Sequence, residues 1–196
     1  PDAHMAHPRG SGGKVAVDHP LGKNLVGAFH PPIAVYADTR TLTTLPEREL
    51  RAGLAEAVKC GAIADRGLFR MIDRGRKALL RREPAAVRRL LVAAASVKAR
   101  IVSGDERESG SRLLLNFGHT LGHAVESAAG YRLRHGEAVA VGMALESRLA
   151  ARLGLLAPET AARIEELIAA LGLPIRPPPA LRIGVLLSAA ARDKKV

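Results

Sequence analysis

The sequence predicts a mainly α protein, with a short α/β opening segment followed by a helical metal-binding domain. Three observations set the fold class. Beyond residue 44 apolar residues recur at helical spacing, most clearly in Val87, Leu90, Leu91, Ala94, Val97 and Ile101. Hydrophobic residues make up 47% of the 196 and aromatics only 3%. The core must therefore be built from Leu, Ala, Val and Ile, a palette that suits helices packed on helices. A short, partly β-branched run at residues 33–38 (IAVYAD) reads as a buried strand and falls early in the chain.

Residues 1–11 show no periodicity and read as a flexible or non-native start. Residues 12–44 form the opening segment, with glycine-bearing turns at Gly12-Gly13-Lys14 and Gly22-Lys23-Asn24 ahead of the strand. Residues 45–196 form the helical domain. Thr44, Pro46 and Glu47 have the spacing of a capping box, predicting a helix through Ala57 to about Ala62. Pro84 opens the next long helix, and Ser103 to Gly110 is a polar loop. Helices then run from about Phe117 to Gly130, from near Gly136 to Gly154, and from Pro158 to Gly172. Glycine suits the left-handed position just past each end. Residues 174–179 (PIRPPP) break the pattern before a last weak helix over about 180–192.

A single cysteine, Cys60, excludes an internal disulfide framework and fits a reducing compartment. No apolar run approaches the ~18 residues that cross a bilayer, and no secretory signal opens the chain. A soluble, cytoplasmic protein without a membrane partner is the expectation. The net charge of +11 raises nucleic acid as a partner. Against that, the arginines are scattered over helices, and two Tyr and three Phe offer few stacking platforms. A basic pocket for a small phosphorylated, carboxylated substrate accounts for part of the charge, and solvated arginines for the rest.

Polar residues gather where core building does not need them. His119 and His123 lie four apart on one helical face, and His135 opens the next helix, with Glu126 and Glu137 nearby. Imidazoles joined by a carboxylate are a usual first shell for a catalytic zinc. Spacing alone makes His119 and His123 the paired ligands, with hydrogen-bonded or surface histidines as the bland alternative. Glu56 and Lys59 share a face among small residues, either as an ordinary surface pair or as part of a site. The two glycine–lysine turns could cradle phosphate, but neither fits the P-loop or the dinucleotide fingerprint.

Taken together, GGKVAVDHPLGKN (12–24), DTRTLTTLPERELRAGLAEAVKCG (38–61), KARIVSGDERESGSRLLLNFGHTLGHAVE (98–126), HGEAVAVGMALES (135–147) and DKKV (193–196) resemble the 3-dehydroquinate synthases, in family order. The resemblance implies a zinc or cobalt ion on Glu56, His119 and His135, which moves His123 to the substrate phosphate site. It implies that Lys59, Lys98, Arg112 and Asn116 contact substrate phosphate, carboxylate or hydroxyls, with Glu108 in the same pocket. Lys14 and Asn24 match residues reaching the substrate, and Lys14, Lys23, Thr41, Leu42, Thr43 and Thr44 match positions near NAD. One of Lys194 and Lys195 contributes as well. The implied reaction converts 3-deoxy-D-arabino-heptulosonate 7-phosphate, a seven-carbon sugar acid, into 3-dehydroquinate and phosphate in the shikimate pathway. It depends on NAD and metal, and a homodimer is the expected assembly.

Some features depart from the family. Residues 1–11 do not match the stretch that usually precedes GGK, and the glycine-rich nucleotide-binding half is not among these 196 residues. Cys60 stands where tyrosine is common. Turnover by the isolated chain is therefore not expected, and a folded, metal-binding but non-catalytic chain is one alternative. A related cyclase forming 2-deoxy-scyllo-inosose or an epi-valiolone is another, although the HPLGKN stretch favours dehydroquinate synthase.

Overall fold

The computed structural model describes residues 33–104 and 110–191 in full, and residues 14–19 and 22–29 by their backbone alone. Among the described residues the sheet is a two-stranded antiparallel hairpin. β1 (Lys14–His19) pairs with β2 (Gly22–Phe29), Lys14 facing Phe29 and Val17 facing Val26, with a register shift before His19.

The strand expected at residues 33–38 does not form. Ile33 is fully exposed and Tyr36 is 95% exposed. No described strand pairs with this run, so its backbone has no ladder to join. It passes instead into a 3₁₀ helix at Thr39–Thr43, whose first turn is closed by Asp38 Oδ1 accepting Arg40 N at 2.9 Å.

The expected capping box is also absent. Thr44 closes the 3₁₀ helix in the right-handed region (φ −96°, ψ −4°), and its hydroxyl lies 3.5 Å from the Thr41 carbonyl. Helix α1 (Glu47–Ala64) starts on Pro46, with no side-chain cap. The Pro46 carbonyl accepts the first N–H groups, from Glu49 and Leu50. Proline's fixed φ supplies the entry geometry that Thr44 would otherwise have set.

Helix α1 is buried on most of its circumference, from Leu50 to Gly61. Helix α2 (Arg66–Leu80) fills the stretch between the two helices expected from spacing, to which spacing assigns no separate helix. Asp65 Oδ1 caps it by accepting Leu68 N at 2.9 Å, and it buries Leu68, Ile72 and Leu79 while Arg66, Arg70 and Arg74 face solvent. Helix α3 (Pro84–Gly104) follows as expected. A second 3₁₀ helix, Ser111–Asn116, lies between the expected polar loop and the helix expected from about Phe117. Helices α4 (His119–Ala128), α5 (His135–Arg152) and α6 (Pro158–Ala170) match the expected positions. Gly130, Gly154 and Gly172 take left-handed φ values of 60°, 71° and 73° just past them. Helix α7 (Ile183–Ala190) has no buried residue and lies against α4. Among the described residues no helix is long and apolar enough to cross a membrane.

Helix α5 is the hub. Val139, Ala140, Val141, Met143 and Ala144 are wholly buried, and the helix packs against α1, α4 and α6. Two glycines let it come that close. A Cβ on Gly136 would sit 2.0 Å from the Ala52 carbonyl oxygen, and one on Gly142 would sit 2.0 Å from the Gly118 oxygen. Both obstacles are backbone, which cannot rotate away.

The contrast with open glycines is testable. Gly142→Ala should destabilise the fold by about 1–3 kcal/mol or more, as overpacking does. Gly75→Ala, in α2 with no atom near the new Cβ, should stabilise it by about 0.5–1 kcal/mol. Denaturant midpoints measure both.

Candidate metal centre

Three side chains from three helices converge. Glu56 comes from the middle of α1, His119 from the first turn of α4 and His135 from the first turn of α5. Each offers one donor atom, and the three donors lie within 4.8 Å of one another. Glu56 Oε1 is 3.5 Å from His119 Nε2 and 3.4 Å from His135 Nε2. Glu56 and His119 are buried and His135 is partly buried.

Local structure fixes each ring. The other nitrogen of His119, Nδ1, is 3.2 Å from the Phe117 carbonyl, which holds Nε2 toward Glu56. Burial lowers the His119 pKa to about 4, against the hydrogen bond and charge of Glu56 that raise it. The imidazole is therefore neutral near pH 7, the form that binds metal. His135 Nδ1 lies 3.3 Å from Glu126 Oε2.

His123, which spacing alone pairs with His119, stands beside this group. Its ring centroid is 5.4 Å from that of His119, edge-on, and 5.7 Å from that of His135. The i,i+4 rule puts two rings on one face, but it ignores what a neighbouring helix delivers. Here α5 delivers His135 across the groove.

Lys59 is buried and its Nζ donates to Glu56 Oε2 at 2.6 Å, so the i,i+3 pair is an interior ion pair and not a surface one. Lys98, near the end of α3, and Arg112, in the second 3₁₀ helix, are also buried. Asn116 ends that 3₁₀ helix, which packs against α1 and α3. Leu42 lines an apolar cavity shared with Glu56, Gly53 and Cys60, and burial pushes the Cys60 thiol pKa up. Thr41 and Thr43 donate their hydroxyls to the Asp38 and Arg40 carbonyls, both at 2.7 Å, and so close their own turn. Lys14, Lys23 and Asn24 lie in the hairpin strands, which are described by their backbone alone. Glu108, Lys194 and Lys195 lie outside the described residues.

Sequence reasoning missed Glu146. From α5 it crosses to the start of α4, where Oε2 accepts Gly118 N at 2.7 Å and Oε1 accepts Leu121 N at 3.2 Å. It satisfies N–H groups at a helix start that has no side-chain cap of its own, next to His119. Burial raises its pKa against those two hydrogen bonds. No spacing rule finds a cap 28 residues away. Arg48, also missed, grips Glu137 through two hydrogen bonds of 2.6 and 2.7 Å and ties α1 to the start of α5.

The profile of the 3-dehydroquinate synthase C-terminal domain matches residues 53–196, and that of the N-terminal domain matches residues 4–52. The chain belongs to the 3-dehydroquinate synthase family. It is 52% identical to the 3-dehydroquinate synthase of Xylella fastidiosa (strain M12), covering 94% of this chain and 51% of that protein. It is 51% identical to that of Xanthomonas campestris pv. campestris (strain 8004), with the same coverage. The chain thus spans about half the length of the curated relatives it matches.

Solved structures agree on the family's wider group. A 2-epi-5-epi-valiolone synthase from Streptomyces hygroscopicus subsp. jinggangensis, solved with NAD+ and Zn2+ bound, superposes with a TM-score of 0.87 at 32% identity. The match covers 97% of this chain and 53% of that one. A 2-deoxy-scyllo-inosose synthase complexed with carbaglucose-6-phosphate, NAD+ and Co2+ gives 0.82 at 31% identity, covering 97% and 52%.

Glu146 supports the family's HTLGH segment from outside it. Glu146→Ala leaves the Gly118 and Leu121 N–H groups without that acceptor and should cost about 1–3 kcal/mol in denaturant unfolding. Unchanged stability would contradict the capping role.

Proposed function

We propose that this chain provides the metal- and substrate-binding part of a 3-dehydroquinate synthase, the carbon–oxygen lyase that releases phosphate from 3-deoxy-D-arabino-heptulosonate 7-phosphate. The observation that carries the reading is the buried Glu56–His119–His135 group beside Lys59 and His123. Its donor set suits a zinc or cobalt ion, since two neutral imidazoles and one carboxylate leave a fourth position for substrate. Bound there, the ion would supply Lewis acidity to a substrate oxygen. NAD+, held partly by the opening segment and Thr41 to Thr44, would supply the hydride acceptor.

The chain's own residues do the positioning. Arg112 can clamp a carboxylate or phosphate with two parallel hydrogen bonds. Lys59, Lys98, Asn116 and His123 add donors around the same anionic substrate, with Glu108, Lys14, Asn24 and one of Lys194 and Lys195 completing the pocket. Holding both anionic ends keeps the reacting atoms aligned through several steps. Burial supports this use of charge, because Lys98 and Arg112 sit in the interior of the bundle. A homodimer belongs to the same proposal, and the exposed Ile183 and Leu187 of α7 offer apolar surface for contact.

The second reading, a cyclase of the valiolone or inosose type, rests on the structural matches. Identity favours the first: 51–52% to dehydroquinate synthases against 31–32% to the other cyclases.

Calorimetric titration of the zinc-loaded chain tests the proposal. The heptulosonate phosphate should bind in preference to a hexose phosphate, with no phosphate release from the 196 residues alone, and preference for the hexose phosphate would move the protein to the second reading. His135→Ala should abolish metal uptake measured by elemental analysis, whereas His123→Ala should keep the metal and lose substrate-analogue affinity. The reverse pattern would overturn the ligand assignment. Arg112→Lys should weaken a phosphonate analogue by about 1–3 kcal/mol while leaving metal content unchanged.

A further inference from the structure

The metal reading assigns Glu56, His119 and His135 and leaves one buried carboxylate at the site without a task. Glu126 lies in the last turn of α4 and is 4% exposed. It shares the α4 face of His119 and His123 at positions i, i+4 and i+7. Its backbone is pinned, since its carbonyl accepts Tyr131 N at 3.0 Å where Gly130 turns the chain out of the helix.

The two nitrogens of His135 face two different carboxylates. Nε2 is 3.4 Å from Glu56 Oε1, on the side of the converging donors. Nδ1 is 3.3 Å from Glu126 Oε2, on the opposite side of the ring. Glu126 itself does not join the group of donors within 4.8 Å. A neutral imidazole carries one N–H, and a carboxylate at Nδ1 can only accept it. Glu56, the carboxylate facing Nε2, is already engaged by Lys59 Nζ at 2.6 Å, so Glu126 is the acceptor placed to hold the hydrogen on Nδ1 and leave the Nε2 lone pair for the metal.

We propose that Glu126 is a positioning residue that selects the Nδ1–H tautomer of His135, aims its Nε2 at the metal and raises that nitrogen's basicity. The inference rests on the metal reading above. The two histidines are thus held by unlike partners. His119 Nδ1 meets a neutral backbone carbonyl, that of Phe117, whereas His135 Nδ1 meets a charged side chain. Outer partners of this kind set ring orientation and metal affinity, typically by about 10–100-fold. The side-chain contact matters more for His135, whose ring is less enclosed than that of His119, with side-chain exposure of 19% against 11%.

The test compares wild type, Glu126→Ala and Glu126→Gln. Zinc affinity is read by competition with a chromophoric chelator, and the His135 tautomer by 15N–1H NMR of the metal-free protein. Wild type should show the Nδ1–H form. Glu126→Ala should lose that bias and bind zinc about 10–100-fold more weakly. Glu126→Gln, whose amide oxygen still accepts from Nδ1, should restore the tautomer and only part of the affinity. A purely structural role would change stability and leave tautomer and affinity alone. If Glu126→Ala does not fold, Glu126→Gln with wild-type affinity, or a wild-type Nε2–H tautomer, overturns the proposal. Wild-type affinity in Glu126→Ala overturns this inference alone. Wild type that takes up no zinc overturns the metal reading and this inference with it.

Discussion

The site depends on how closely the backbone of α5 approaches two other segments. Gly136 lies on the Ala52 carbonyl of α1, and Gly142 on the Gly118 carbonyl at the start of α4. Those contacts leave no space for even a methyl group. They bring together three helices that carry one donor each, so Glu56, His119 and His135 meet although 79 residues separate the first from the last. Hydrogen bonds across the same seams hold the approach. Arg48 joins α1 to Glu137, Arg134 joins Glu49, and Glu146 joins α5 to the start of α4. Packing sets the distance and the charged pairs set the register.

Charge inside the bundle is costly unless it is used. Glu56 and Lys59 are both more than nine-tenths buried and pair at 2.6 Å. Such a pair adds little net stability over apolar residues of the same size, yet removing one partner alone costs about 3–5 kcal/mol. Burial also keeps His119 neutral near pH 7. A bundle selected for stability alone would fill these positions with Leu or Ala, as it does at Leu54 and Ala55 nearby. Buried charge of this kind is more common at functional sites than in ordinary cores. Lys98 and Arg112 are buried as well.

Much of this was legible in the sequence. Helix positions from Pro84 onward followed from apolar spacing and terminal glycines, because those signals are local and strong. The opening was misread for the same reason. Residues 33–38 look like a strand by composition, but composition does not report whether an edge is available to pair with. Thr44 looked like a cap, but it was already committed to the preceding 3₁₀ turn. At the site, i,i+4 spacing chose His123 over His135, because spacing sees one helix at a time. The ligand set suggested by family resemblance names the same three residues that the structure brings together. Glu126 was visible near the histidines, with no role attached to it. Glu146 carried no local signal, since its partners lie on another helix.

The most direct measurement is anomalous diffraction at the zinc edge from crystals of the zinc-loaded protein. The central claim predicts one peak per chain, about 2.0–2.2 Å from a Glu56 oxygen and from Nε2 of His119 and of His135. A peak held by His119 and His123 with His135 disengaged, or no peak at the three-helix junction, would contradict it.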